Sequence, residues 1–285
     1  MNKHSSPIAI IVNAFSRAES LEKCLDSIFE SVGEAKIPLI LIHQTGHLDV
    51  ENVILRYSPF ISTVRTVTSV NRTALENINH NRLLGYEVAF NEFRAEWVLA
   101  IEEDVLISGD AVRFISHMIE RYENYRFFRG INLGSREPFD LSLISTYSRL
   151  RYGMHGQASV IGKKTWNFIN RRNIKARFST HGFDSLIEVH LKCGFMVTPN
   201  LSRSLDTGWD GTHMPSDSND LYFEEMRASF VGIQANSTSY YCRNILHRWR
   251  EDLEVYSVCR TPKFLLLSRW NTLKHKVKFY FSSAH

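Results

Sequence analysis

No Gly-x-Gly-x-x-Gly follows the first apolar run of this chain, and no Gly-x-x-x-x-Gly-Lys occurs anywhere in its 285 residues. Both motifs need glycine where the backbone must approach a phosphate, so a dinucleotide-binding Rossmann domain and a P-loop NTPase lose their footing. A Gly-x-Ser-x-Gly elbow is also missing, which removes the serine-hydrolase signature. The four cysteines, Cys24, Cys193, Cys242 and Cys259, form no Cys-x-x-Cys pair. That excludes a zinc knuckle or dithiol redox motif and fits reduced thiols in a cytosolic protein. Internal repeats, low-complexity tracts and Gly/Ser linkers are absent. Met1 to Pro7 is short and polar, and the apolar run after it is too brief for a signal or membrane-spanning segment. A soluble cytoplasmic chain is expected. Acidic residues are missing from Val255 to His285, where Arg260, Lys263, Arg269, Lys274, Lys276 and Lys278 concentrate positive charge. With a net charge of +4 overall, the rest of the chain is slightly acidic. A basic patch so local argues against a nucleic-acid groove across the body.

What is present is ordinary globular material: 44% apolar, 12% aromatic and 22% charged residues. Ile8 to Asn13 is a continuous β-branched run, as in a strand buried on both faces. Ser16 is placed to cap a helix whose apolar face is Leu21, Cys24, Leu25, Ile28, Phe29 and Val32. Further strands are expected at Ile37–Ile42, around Ile61–Val67 and at Trp97–Ile101, with a helix from about Asn81 to Phe93. This alternation predicts an α/β domain with a mostly parallel sheet flanked by helices. In such sheets ligands bind beyond the carboxyl ends of the strands. The residues after each strand, Ala14 to Arg17, Gln44 to His47 and Glu102 to Asp104, are therefore the first candidates for a site.

Glu102-Glu103-Asp104 follows the apolar run WVLAI directly. Three consecutive carboxylates at the mouth of a buried strand repel one another, which costs stability unless a cation offsets the charge. Mg²⁺ or Mn²⁺ does so with one or two carboxylates, completing its shell with phosphate oxygens and water. The alternative is a solvated acidic turn.

Taken together, these residues resemble the GT-A fold nucleotide-sugar glycosyltransferases, in particular the N-acetylglucosaminyltransferase I type and bacterial surface-glycan enzymes. Ile101-Glu102-Glu103-Asp104 is similar to that group's Glu-Asp-Asp strand end, and Asn81-Arg82-Leu83-Leu84-Gly85 precedes it at matching spacing. Pro199-Asn200-Leu201-Ser202-Arg203-Ser204 resembles its Pro-x-x-Ser-Arg-Thr segment, with Gly208 and Gly211 after it. His181-Gly182-Phe183-Asp184-Ser185-Leu186 is similar to the segment supplying the catalytic base, and Gly211-Thr212-His213 to a Gly-Thr-His of bacterial transferases. The resemblance spans about residues 8 to 215. Glu103 stands where the group has Asp, and Asp206 where relatives often have His, so the donor sugar is not carried over.

The resemblance implies a metal-dependent, inverting transfer of a sugar from a nucleoside diphosphate, UDP by expectation, to a glycan or lipid-linked acceptor. Asp104 and His213 are the expected ligands of Mn²⁺ or Mg²⁺, and Asp184 the general base. Arg17, Gln44, Arg82, Glu102, Glu103 and Arg203 are expected around the nucleotide and diphosphate. Each has a plainer reading: helix N-terminal chemistry for Asp184, a structural ion pair for Arg82 or Arg203, a solvated face for Arg17. Tyr147, Tyr152 and Trp166 either line an acceptor region or belong to the core. Residues 1–215 form the expected catalytic domain and 216–285 a helical extension. Leu266, Trp270, Leu273 and Val277 fall at helical spacing among the tail's basic residues, which suits docking on an anionic membrane face or packing on the body. A nucleotidyltransferase of similar fold and a non-catalytic glycan- or membrane-binding module are the rival functions.

Overall fold

The computed structural model describes residues 8–68, 72–135, 146–150, 158–171, 194–208 and 229–240. The apolar runs become strands for the reason their composition suggests: successive side chains point to opposite faces, and both faces are covered. In β1 (Ile8–Ala14), Ile10, Val12 and Ala14 enter one apolar cluster while Ala9 and Ile11 enter the other. β2 (Leu39–Gln44) and β4 (Trp97–Glu102) divide in the same way, Leu39, Leu41, Leu99 and Ile101 against Ile40, Ile42, Val98 and Ala100.

The first cluster is closed by α1 (Ala18–Val32), α2 (Leu48–Tyr57) and, further along the chain, α4 (Ala111–Tyr122). The second is closed by α3 (Ala74–Glu87), the π turn Val88–Glu92 that continues it, and α5 (Lys163–Arg171). The remaining strands are β3 (Thr63–Val67), β5 (Val105–Ile107), β6 (Phe128–Asn132), β7 (Tyr147–Leu150), β8 (Ala158–Gly162), β9 (Phe195–Pro199) and β10 (Ser204–Asp206). The main sheet has the order β3-β2-β1-β4-β8-β6-β9-β7, and β10-β5 forms a separate two-stranded ribbon.

β3, β2, β1 and β4 run parallel, while β8 is antiparallel to both β4 and β6. The parallel register sets Asn13 opposite Glu102, Ala14 opposite His43 and Gln44 opposite Val67. The carboxyl ends of the four strands are thus level, and the loops leaving them share one edge. β5 then turns back to pair antiparallel with β10, Asp206 opposite Val105. That pairing brings a residue from the far end of the described core to the acidic strand end.

Several expectations change. α2 is an addition to the expected elements, although its Val50, Val53, Ile54 and Tyr57 fall at helical spacing and pack on the first cluster. α3 begins at Ala74, not near Asn81, because Thr73 and Glu76 form a capping box: the Glu76 N–H donates to Thr73 Oγ1 at 3.3 Å and the Thr73 N–H to Glu76 Oε2 at 2.7 Å. Tyr147 and Trp166 are core residues, 0% and 2% exposed, with the Tyr147 hydroxyl 3.0 Å from that of Tyr122 and Trp166 stacked on Phe90. They are not an acceptor platform. Residues 229–240, placed in a C-terminal extension by the sequence, pack on the body through Tyr240 against Phe114. The basic tail and the boundary near residue 215 lie outside the described residues. Among the described residues, no helix is long and apolar enough to cross a membrane.

α3 reaches the sheet closely at one point: a Cβ on Gly85 would lie 2.9 Å from Cδ1 and 3.3 Å from Cβ of Ile11. Gly85→Val is therefore expected to overpack this contact and lower stability by about 1–3 kcal/mol. The urea midpoint measures it, and shortening Ile11 to Ala in the same chain should recover part of the loss.

Candidate active site

The site is assembled from three loops, and a single carboxylate joins the first two. Ser16 does not cap α1; the cap position is Arg17, whose side chain makes no capping bond. Glu103, at the end of the neighbouring strand, instead binds the loop that leads into the helix. Its carboxylate accepts the N–H groups of Phe15, Ser16 and Arg17 at 2.6, 3.1 and 3.3 Å. An anion facing the free N–H groups of a helix start is stabilised by them and by the helix dipole. Glu103 is 7% exposed, and burial outweighs these bonds, holding its carboxyl above the ordinary value. Its oxygens are committed to the backbone, which corrects the expectation that it faces a nucleotide.

Asp104 points the other way and pairs with Nη1 of Arg17. Its backbone carbonyl accepts both the N–H and the hydroxyl of Thr207, at 2.8 and 2.7 Å. Gly208 lies directly on the pair: a Cβ there would overlap Oδ2 of Asp104 and crowd Nη1 of Arg17. Asp206, at the end of β10, accepts the Gly208 N–H at 2.7 Å. Burial pushes its carboxyl up to about 6, with Asp104 adding to the rise against the opposing effects of Gly208 and Arg17.

Glu102 completes the group. Its carboxyl is pushed up to about 7, chiefly by burial, with Asp104, Asp206 and Glu103 adding their charge. Arg82 opposes the rise from 3.5 Å. The Arg82 side chain is 4% exposed and that of Glu102 36%, so the pair reaches solvent on the Glu102 side. Gln44 is half-buried at the end of β2, on the far side of β1 from Glu102. Between them Phe15 is 48% exposed and meets the edge of His47 at 4.8 Å.

Arg203 is elsewhere. Its Nε and Nη2 both donate to Oδ2 of Asp110, at 3.1 and 3.0 Å, and the two side chains are 4% and 0% exposed. The guanidinium lies over the rings of Phe114 and Tyr240, and the Tyr240 hydroxyl donates to the same carboxylate oxygen at 3.2 Å. This buried structural pair replaces the expected diphosphate contact. Asp184 and His213 lie outside the described residues.

Sequence reasoning thus located Arg17, Arg82, Glu102 and Asp104 at one mouth. It named Asp206 and Gly208 only as parts of a later motif and left out Thr207, because a short strand pairing between segments so distant in the chain leaves no periodic signal. It also missed Asp110, whose partner Arg203 it had assigned to the ligand.

Among the described residues, no group of three or more His, Cys, Asp or Glu is arranged to hold a metal ion. The donor chemistry nonetheless fits a hard divalent cation of the kind that takes one or two carboxylates and completes its shell with phosphate and water. Burial is the main reason that Glu102 and Asp206 both sit above the ordinary carboxylate range, and the charge of Asp104 adds to it in each case.

No protein-family model matches the chain, and no curated protein matches it in sequence. Solved structures do match in shape. Residues 1–349 of TarS from S. aureus, a GT-A glycosyltransferase, superpose with a TM-score of 0.52 at 10% identity, over 80% of this chain and 71% of that one. This is the GT-A fold. The same TarS fragment in complex with UDP-GlcNAc gives 0.51 at 12% identity, over 77% and 64%. A mannosyltransferase from Pyrobaculum calidifontis in complex with GDP-Man and Mn²⁺ gives 0.46 at 11% identity, over 70% and 59%. The chain spans 42% of the longer TarS structure. In the GT-A frame the acidic turn lies where the parallel strands of the sheet end, the edge at which α/β sheets bind ligands.

Because Arg203 and Asp110 are both buried, removing one leaves the other uncompensated. Arg203→Met is expected to lower stability by about 3–5 kcal/mol. Adding Asp110→Leu to Arg203→Met should recover much of the loss, and urea denaturation of the two variants measures both effects.

Proposed function

We propose that the chain is a metal-dependent glycosyltransferase that moves a sugar from a UDP donor to a glycan or lipid-linked acceptor with inversion. The observation carrying this reading is the convergence of Glu102, Asp104 and Asp206 with Arg17 and Arg82 at the carboxyl edge of a GT-A sheet. The TarS structure with UDP-GlcNAc supports a nucleotide-sugar donor through its shared fold.

In this reading Asp104 and Asp206 hold a Mn²⁺ or Mg²⁺ ion, with His213 as a further candidate ligand. When bound, the ion supplies Lewis-acid neutralisation of the departing diphosphate. Arg17 and Arg82 contribute guanidinium groups, whose planar fork suits phosphate oxygens. Gln44 and the exposed ring of Phe15 flank the position of the base and ribose on the β2 side. Glu103 acts indirectly by keeping the loop that carries Phe15 and Arg17 against the acidic turn. An acceptor hydroxyl needs a carboxylate within hydrogen-bond reach to take its proton, and Asp184 has that role.

Two measurements test the reading. Asp104→Asn should keep the fold but weaken Mn²⁺-dependent UDP binding by at least about 10–100-fold, the loss typical even of groups that only support a metal ligand. Unchanged calorimetric affinity sinks the assignment. Asp184→Asn should lower turnover by ~10²–10⁴ with little change in donor affinity, since general-base help is worth that much. A product that retains the donor anomer overturns the single-displacement mechanism.

A further inference from the structure

Arg17 is held at both ends by the turn it faces. Its backbone N–H donates to Oε1 of Glu103, and its guanidinium pairs with Asp104, the next residue. The pair is closed over by Gly208, where any side chain would collide with both partners. A cation therefore already sits on the carboxylate to which the proposed function assigns the metal, and that cation belongs to the chain. The Arg17 side chain remains 29% exposed and is attached at a loop, so its stem can swing without moving a helix or strand.

Charge determines which cation keeps Asp104 once ligands arrive. A divalent ion and a guanidinium compete for one carboxylate and repel each other, so the ion displaces Arg17 from Asp104. A nucleoside diphosphate then brings several negative charges to the same mouth, and a guanidinium forms strong charge-assisted bonds to phosphate oxygens. We propose that Arg17 is an exchanged cation: it occupies Asp104 in the empty protein and passes to the diphosphate when the metal takes Asp104. This rests on the reading of the mouth as a site for a divalent ion and a nucleoside diphosphate, and adds to it an order of affinities. The metal alone binds weakly because it must evict Arg17, and each ligand strengthens the other by more than their direct contact. Such coupling is reciprocal in binding free energy.

The experiment compares the full chain with Arg17→Gln and Arg17→Lys, using Mn²⁺ alone followed by electron paramagnetic resonance, and UDP with saturating Mn²⁺ followed by calorimetry. Arg17→Gln should bind Mn²⁺ alone about 1.5- to fivefold tighter, the range set by a partly exposed ion pair. The same variant should bind UDP more weakly in the presence of Mn²⁺. Arg17→Lys keeps a cation beside Asp104, so its affinity for Mn²⁺ alone should stay near that of the parent. In the parent, the Arg17 guanidinium ¹⁵N resonance should move on adding Mg²⁺ and move again on adding UDP, a measurement that needs no glutamine variant. Equal or weaker Mn²⁺ binding by Arg17→Gln, or an Arg17 resonance indifferent to Mg²⁺, overturns the exchange while leaving the site reading intact if Asp104→Asn still abolishes Mn²⁺-dependent UDP binding. A parent protein that binds UDP no better with Mn²⁺ than without it overturns both.

Discussion

The carboxylate of Glu103, received by the consecutive N–H groups of Phe15, Ser16 and Arg17 just before α1, is the contact on which the geometry of the mouth depends. It fastens the β1–α1 loop to the turn between β4 and β5, two segments far apart in sequence. With that loop fixed, Arg17 stands beside Asp104 and Phe15 is left facing outward. Cys24, further along α1, donates its thiol to the Glu102 carbonyl at 3.6 Å, and burial holds that thiol far above its usual range. The same helix thus touches the acidic turn twice, once through its backbone start and once from its buried face.

Three adjacent acids accordingly divide their work by the direction each points. Glu103 points back into the helix start and serves the fold. Glu102 and Asp104 keep part of their surface in solvent, each beside an arginine from a different element. The ribbon of β5 and β10 adds Asp206 from the other side, and the buried Asp110–Arg203 pair stands at the root of that ribbon. Ser108, just past β5, donates its N–H to the Arg203 carbonyl just before β10. Tyr240 ties residues 229–240 to the same Asp110 carboxylate, so the late part of the chain is fastened at the root of the ribbon.

The sheet was legible because a strand buried on both faces is written as an unbroken apolar run, as in Ile8–Asn13 and Trp97–Ile101. The mouth was legible in part because carboxylates at a strand end have few structural uses, and the resemblance to GT-A enzymes ordered them. The division of roles was not legible. Nothing in Glu102-Glu103-Asp104 says which acid turns inward; that comes from the register of β1 against β4. Arg203 was misassigned for a related reason. A guanidinium suits phosphate and carboxylate alike, and only the fold shows that Asp110 is the partner. Tyr147 and Trp166 are the aromatic counterpart, since a ring that can stack on a sugar packs equally well in a core.

The antiparallel placement of β8 beside β4 has a consequence for the growing polypeptide. β4 pairs with β1 on one side and with β8 on the other, and β8 is made long after β4. A nascent chain that has emerged only as far as α4 can assemble β3, β2, β1 and β4, but it presents the apolar run WVLAI as an open edge. Open apolar edges recruit other chains, and charges at the strand end are a recognised deterrent. β4 and β5 both wait for partners made later in the chain, β8 and β10, and the acidic turn lies between them at the end of that waiting edge.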